Sequence, residues 1–281
     1  MTRKPRNIRP ADTAIFFAWV AVDWGIIVAT IIAAVRLDNL FACWLATLIV
    51  GNRQHALAIL GHEVGHWLAA ENEFINNRLG CLFTFWPLGI SLTAYRRFHF
   101  RHHRLVGSEG DPERVYKRAT HGDWDVPVPA SGLVLLTMMD LFAGYGVYHV
   151  YKVFRLAKPA TVAESLSCLL PIVATLALLL TGNWAAAAIW YASLVTSFWA
   201  AFRWRVWFEH QEPAAVTSRV NMPRLLRILI APHNTWLHWE HHECPNIPQH
   251  RLGEVREAFQ WPEPVPAGIL LSTLTTHRTT T

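Results

Sequence analysis

The chain is poor in charge. Asp, Glu, Lys and Arg make up 16% of its 281 residues, against about a quarter in an ordinary soluble domain, while 52% are hydrophobic. That balance is too apolar for an ordinary cytosolic protein. Cysteine is scarce as well: Cys43, Cys81, Cys168 and Cys244 form no CxxC pair. A disulfide scaffold and a cysteine-ligated iron–sulfur cluster are both set aside on that ground. Cys43, Cys81 and Cys168 lie in apolar runs and read as small buried hydrophobes. No repeat of fixed period and no linker divides the chain, and its first apolar run lacks the small-residue cleavage site of a signal peptide. The net charge of +5 is modest and has no basic face free of apolar spans, so nucleic acid is not an expected partner.

What the chain has in quantity is apolar length and tryptophan. Residues 14–35, broken only by Asp23, are long enough to cross a bilayer, and residues 40–60, 165–181 and 184–202 are read as further spans. The 14 tryptophans suit a membrane–water interface. Residues 79–95 are apolar but interrupted by Pro87 and Gly89, which fits a re-entrant or interfacial hairpin. Residues 131–154 hold Asp140 and His149 and read as an interfacial or partly buried helix. Gln54 and His55 imply that the end of the second span faces protein, not lipid. The expected fold is an all-α integral membrane bundle of about four transmembrane helices plus interfacial or re-entrant helices. It is expected to be one domain over 1–281, with a disordered lead at 1–12 and a tail at 260–281. Arg3, Lys4, Arg6 and Arg9 place the N-terminus in the cytoplasm by the positive-inside rule. Counting spans from there brings every histidine cluster described next to the cytosolic face, as a metal-binding cap.

Three clusters hold eight of the 15 histidines: His62 and His66; His99, His102 and His103; His238, His241 and His242. Residues three and four apart share a helix face, so each cluster aims its imidazoles one way. Eight imidazoles exceed the needs of one metal, which implies two ions. Imidazole ligation suits a redox metal such as iron better than magnesium or calcium, though spacing alone leaves zinc, copper and manganese open. His210 follows a span on the same side and is taken as a ninth ligand; His233 is left as a supporting or structural residue. His55, His121, His149, His250 and His277 read as ordinary core or surface residues. His62-Glu63-Val64-Gly65-His66 also spells HExxH, the zinc protease motif. That class has no use for two HxxHH clusters. Glu63, Glu109, Asp111, Glu209 and Glu240 are candidates to take up the outer N–H of ligating imidazoles. Arg96, Arg97, Arg101, Arg104, Arg203 and Arg205 are read as facing lipid phosphates or an acidic electron donor.

HxxxH, then HxxHH, then a late HxxHH around apolar spans resembles the membrane fatty acid desaturase superfamily. The flanks FHFRHHRLVGSEGDPE, RVWFEH and HWEHHECPNIPQHRL carry the likeness, over roughly residues 45–255. The resemblance implies a cytosolic di-iron centre on His62, His66, His99, His102, His103, His210, His238, His241 and His242. It implies O₂ as co-substrate and a separate electron donor of ferredoxin or cytochrome type with its reductase. The implied reaction is desaturation of a lipid acyl chain, with hydroxylation or ketolation of a lipid or carotenoid as the alternative and the zinc protease as a remote one. In one respect the chain departs from the pattern. Some members place an Asn four residues before the extra His to hold a water on the metal, and here that position is Val206.

Overall fold

A computed structural model describes residues 8–118, 127–142, 144–156, 161–210 and 217–275. Arg3, Lys4, Arg6, His121 and His277 lie outside the described residues. The fold is all-α with almost no sheet. In chain order the helices are α1 Pro10–Leu37, α2 Leu40–Gly65, α3 Leu92–Leu105, α4 Pro112–Arg118, α5 Ala130–Leu141, α6 Gly144–Leu156 and α7 Val162–Ser167. Then come α8 Leu170–Leu180, α9 Trp184–Val195, α10 Ser197–Glu209, α11 Arg224–Ile230, α12 His238–Glu243, α13 Leu252–Ala258 and α14 Ala267–Thr273. Two compact units can be distinguished, one of residues 1–96 and 140–200, the other of 97–139 and 201–281. The boundaries fall within α3, α5 and α10.

In the first unit, local chemistry sets the helix ends. Pro10 opens α1, and Asp12 accepts the Arg9 backbone N–H at 2.8 Å. Asp38, left-handed at φ 45°, ends it, and the Asn39 side chain accepts the Ala42 N–H at 2.8 Å to start α2. The turn between the first two apolar runs is therefore built by Asp38 and Asn39. α2 packs against α1 and α9. At Gly51 a Cβ would stand 2.0 Å from Ser197 Oγ and 2.8 Å from the Ser193 carbonyl oxygen, so only glycine permits this approach. Ser197 uses the proximity to donate to the Thr47 carbonyl at 2.7 Å.

Among the described residues three helical stretches are long and apolar enough to cross a membrane: Pro10–Leu37, Val162–Leu180 and Trp184–Glu209. Ala130–Leu141 with Tyr145–Val153, read from sequence as interfacial, supplies a fourth if the pair is one broken span. α2 falls short on composition, although it has 26 residues, because Asn52, Arg53, Gln54 and His55 sit in its middle. Those residues are turned inward. Arg53 pairs with the fully buried Asp23 of α1 at 3.0 Å, Gln54 donates to the Trp190 carbonyl at 3.0 Å, and His55 is buried edge-on to Phe198.

The hairpin expected at 79–95 is a helical turn at Cys81–Phe83, a 3₁₀ turn at Trp86–Leu88 and a left-handed Gly89. Phe85 and Cys81 join Phe16, Val20, Leu60, Val64 and Leu92 in one apolar cluster.

The second unit holds a core of Phe208, Val220, Met222, Ile230, Leu237, Leu252, Val255 and Leu270. A parallel bridge pairs Val220 with Val265 and Asn221 with Pro266. Within the expected tail at 260–281 the chain forms α14, whose Ala267 and Leu270 are buried. Its apolar residues recur at helical spacing, which the surrounding Pro, Ser and Thr obscure in the sequence.

Candidate metal centre

His62 and His66 close α2 in the first unit, with ring centroids 4.7 Å apart. The helix end is tied down by polar groups that the sequence does not single out. Buried Asn76 donates to the Val64 carbonyl at 3.0 Å and accepts the Ala69 N–H at 3.1 Å. Arg96 donates to the carbonyls of Gly65 and Val64, both at 2.9 Å, and lies over the Trp67 ring. Arg96 thus satisfies the last carbonyls of α2, and its expected role toward lipid phosphates is corrected. Burial lowers its pKa to about 10. Glu63 is buried on α2 between the two histidines.

The other seven expected ligands lie in the second unit. His99, His102 and His103 share a face of α3. His210 stands one residue past α10, its N–H bonded to the Val206 carbonyl at 2.9 Å. His238, His241 and His242 lie on α12. The chain turns into α12 through two successive left-handed residues, His233 and Asn234, at φ 54° and 62°, a backbone of about 1–3 kcal/mol strain each that surrounding contacts must hold.

These seven form two groups. In His102, His210, His238 and His242 one donor atom from each lies within 4.8 Å of every other. His238 Nε2 is 3.0 Å from His210 Nε2 and 3.1 Å from His242 Nε2. His99, His103 and His241 make the second group, with His103 Nε2 2.9 Å from His99 Nε2 and 3.1 Å from His241 Nε2. The groups adjoin, since the His103 and His242 rings stack at 4.2 Å. Two nitrogens each about 2.0–2.1 Å from one ion lie about 3 Å apart when adjacent. The observed separations therefore fit imidazoles drawn around metal ions. Burial, then the neighbouring imidazoles of His242, His102 and His210, lowers the His103 pKa to about 2. His103 is thus neutral, as a ligand must be.

The carboxylates divide the tetrad from its surroundings. Asp111 Oδ1 lies 2.9 Å from His102 Nδ1, which leaves Nε2 toward the group. Burial alone would lower the His102 pKa; Glu113 and Asp111 outweigh it and raise it. Glu209 Oε1 stands 3.7 Å from His238 Nδ1, while Oε2 holds Arg205 at 3.1 Å. Glu240 faces away from the imidazoles: it binds Arg219 at 2.8 Å and Arg256 at 3.3 Å, all within the core that carries α12. Glu109 is an exposed partner of Arg114 and Arg118. Arg203 is buried over Trp207, so Arg203 and Arg205, like Arg96, are internal; Arg97, Arg101 and Arg104 are exposed. Val206 is buried and carries no donor. Glu113 was missed. Its Oε2 lies 3.8 Å from His102 Nε2 and 3.9 Å from His210 Nε2, and the only sequence signal was its place two residues after Asp111.

The chain is in class an all-α protein with membrane-length apolar helices and histidine groups able to hold metal. The profile of the family described as fatty acid desaturase matches residues 38–268, and the chain belongs to that family. It is similar to the Arabidopsis thaliana protein "Sphingolipid delta(4)-desaturase DES1-like", 25% identical over 219 residues, or 72% of this chain and 59% of that one. It is also similar to the Homo sapiens protein "Sphingolipid delta(4)-desaturase/C4-monooxygenase DES2", 23% identical over 272 residues, or 88% of this chain and 77% of that one. The chain spans less than two thirds of the Arabidopsis relative's length.

Proposed function

We propose that the chain is an O₂-dependent di-iron desaturase acting on the acyl or long-chain portion of a membrane lipid, with sphingolipids the first class to test. The observation that carries the reading is the gathering of seven imidazoles into two adjoining groups at ligand spacing. Both relatives, by name, act on sphingolipids. His99, His103 and His241 would serve one iron and His102, His210, His238 and His242 the other; the family resemblance adds His62 and His66 to the ligand set. When bound, the irons supply the O₂ activation needed to take hydrogen from an unactivated C–H bond. Desaturation removes two hydrogens from adjacent carbons and reduces O₂ to two waters, which requires two further electrons and two protons. Those electrons come from a separate carrier of ferredoxin or cytochrome type. Hydroxylation is the second reading, favoured by the monooxygenase half of the human relative's name.

The protein's own residues hold and exclude. Asp111 fixes the His102 ring, Arg96 and Asn76 fix the end of α2, and burial of the imidazoles keeps bulk water from the reacting centre. We place the termini and the metal site on the cytoplasmic side, from the basic lead and the count of spans.

The test is metal analysis of purified protein followed by lipid profiling of expressing against empty cells, with His241→Ala/His242→Ala as control. Two irons per chain and a new unsaturated lipid, absent from the control, are expected. Hydroxylated product instead selects the second reading. Absence of iron, or product undiminished in the control, overturns both.

A further inference from the structure

We propose that Glu113 is an oxygen ligand to the metal held by His102, His210, His238 and His242. This makes the site mixed where the histidine pattern alone makes it all-nitrogen. The inference rests on the di-iron reading above and adds a residue which that reading does not contain.

Glu113 enters with the segment Asp111-Pro112-Glu113, where α4 begins. A single carboxylate organises that segment. Asp111 Oδ1 lies 2.9 Å from His102 Nδ1 and accepts the Glu113 backbone N–H at 2.9 Å, while Oδ2 accepts the Gly107 N–H at 3.3 Å. The ring of His102 and the backbone of Glu113 are therefore set by the same group. One helical turn on, Lys117 Nζ takes Glu113 Oε1 at 2.7 Å. Oε2 is left facing the imidazoles, 3.8 Å from His102 Nε2 and 3.9 Å from His210 Nε2. Donors about 2.0–2.1 Å from one ion stand about 3 Å apart when adjacent and about 4 Å apart when opposite. The carboxylate oxygen falls within that interval from both imidazoles, as the histidine pairs do.

An ordinary (i, i+4) pair on a helix surface leaves both side chains in water, but here the Lys117 and Glu113 side chains are only 17% and 19% exposed. Charge supplies the reason. Four neutral imidazoles leave a divalent ion its whole double charge in buried surroundings, and one carboxylate halves it. Adding a hard oxygen donor to imidazoles also moves the site away from soft, monovalent copper and toward iron.

The test uses full-length protein, purified in detergent and loaded with Fe²⁺ or, for spectroscopy, Co²⁺. Glu113→Gln and Glu113→Leu are compared with wild type and with Lys117→Met, which removes the salt bridge and keeps the carboxylate. Bound metal is counted after challenge with a graded chelator, and the visible spectrum of the cobalt form is recorded. We expect both Glu113 variants to keep one ion with wild-type resistance. The second should be at least tenfold weaker, with a changed cobalt spectrum, and Lys117→Met should stay within a few-fold of wild type. The inference is overturned if both Glu113 variants hold two ions as tightly as wild type with the same spectrum. Loss of both ions together also overturns it, as does an equal loss in Lys117→Met. Wild type without two ions would instead sink the di-iron reading itself.

Discussion

The two units bury polar groups in opposite ways. In the first, three polar intrusions meet complementary groups: Asp23 meets Arg53, Gln54 meets a carbonyl, and Arg96 meets the end of α2. Such pairing closes a site, because donors and acceptors are spent on each other. In the second, six of the seven imidazoles bring nitrogen against nitrogen at about 3 Å, with the carboxylates of Asp111 and Glu209 behind the cluster. Like groups this close would suit a shared metal ion, and the backing carboxylates would make them better ligands. Buried polarity therefore signals function where the partners are alike and structure where they are complementary.

The sharpest break of this contrast is His242→Ala. Activity should fall by more than about a hundredfold and one ion should be lost, with helix content by circular dichroism unchanged, since ligand loss exceeds the 10–100-fold typical of supporting residues. Asp111→Asn, which leaves the donor set intact, should weaken the tetrad metal by about 10–100-fold in chelator competition. In the first unit the expected loss is in stability. Asp23→Ala strands a buried guanidinium and should cost about 3–5 kcal/mol, whereas Asp23→Leu with Arg53→Met should recover most of it in thermal melts. Metal content per folded chain should stay at the wild-type value in both. Gly51→Ala drives a methyl into the Ser197 and Ser193 contacts, and about 1–3 kcal/mol should be lost.

The smallest effect is in pH. In metal-free protein, His103 contributes stability that is fully present above the ordinary value of 6.5 and is lost as pH falls toward about 2, because the unfolded chain takes a proton that the folded one refuses. His102, with its pKa raised, contributes below 6.5 and loses that contribution as pH rises through the raised value. Metal-free His102→Ala should therefore differ from wild type in the slope of melting temperature as pH falls from the raised value to 6.5, where wild type alone gains the His102 contribution. Equal slopes would mean that the two imidazoles do not oppose one another.

The spacing of the histidines settled a good deal before any fold was known. HxxHH on a helix can only present its rings to one side, so His99 with His102 and His103, and His238 with His241 and His242, were legible as units. Asp111 was legible too, as an acid close to a ligand segment. Apolar runs long enough to cross a bilayer needed only composition. Residues whose meaning depends on partners far along the chain were not legible. Glu240 lies between two expected ligands, yet it serves Arg219 and Arg256, because on its helix it points to the opposite face. Arg96 looks like a surface charge and is a helix cap. Glu113 looks like any acid in a loop and reaches His210, 97 residues away in sequence.

Local periodicity fixed the face on which each imidazole stands, since helix geometry is a property of a few successive residues. Which faces meet, and which carboxylate stands among them, was decided only by the tertiary structure, because only packing brings separate helices within the 3–4 Å over which hydrogen bonds and metal ligation act.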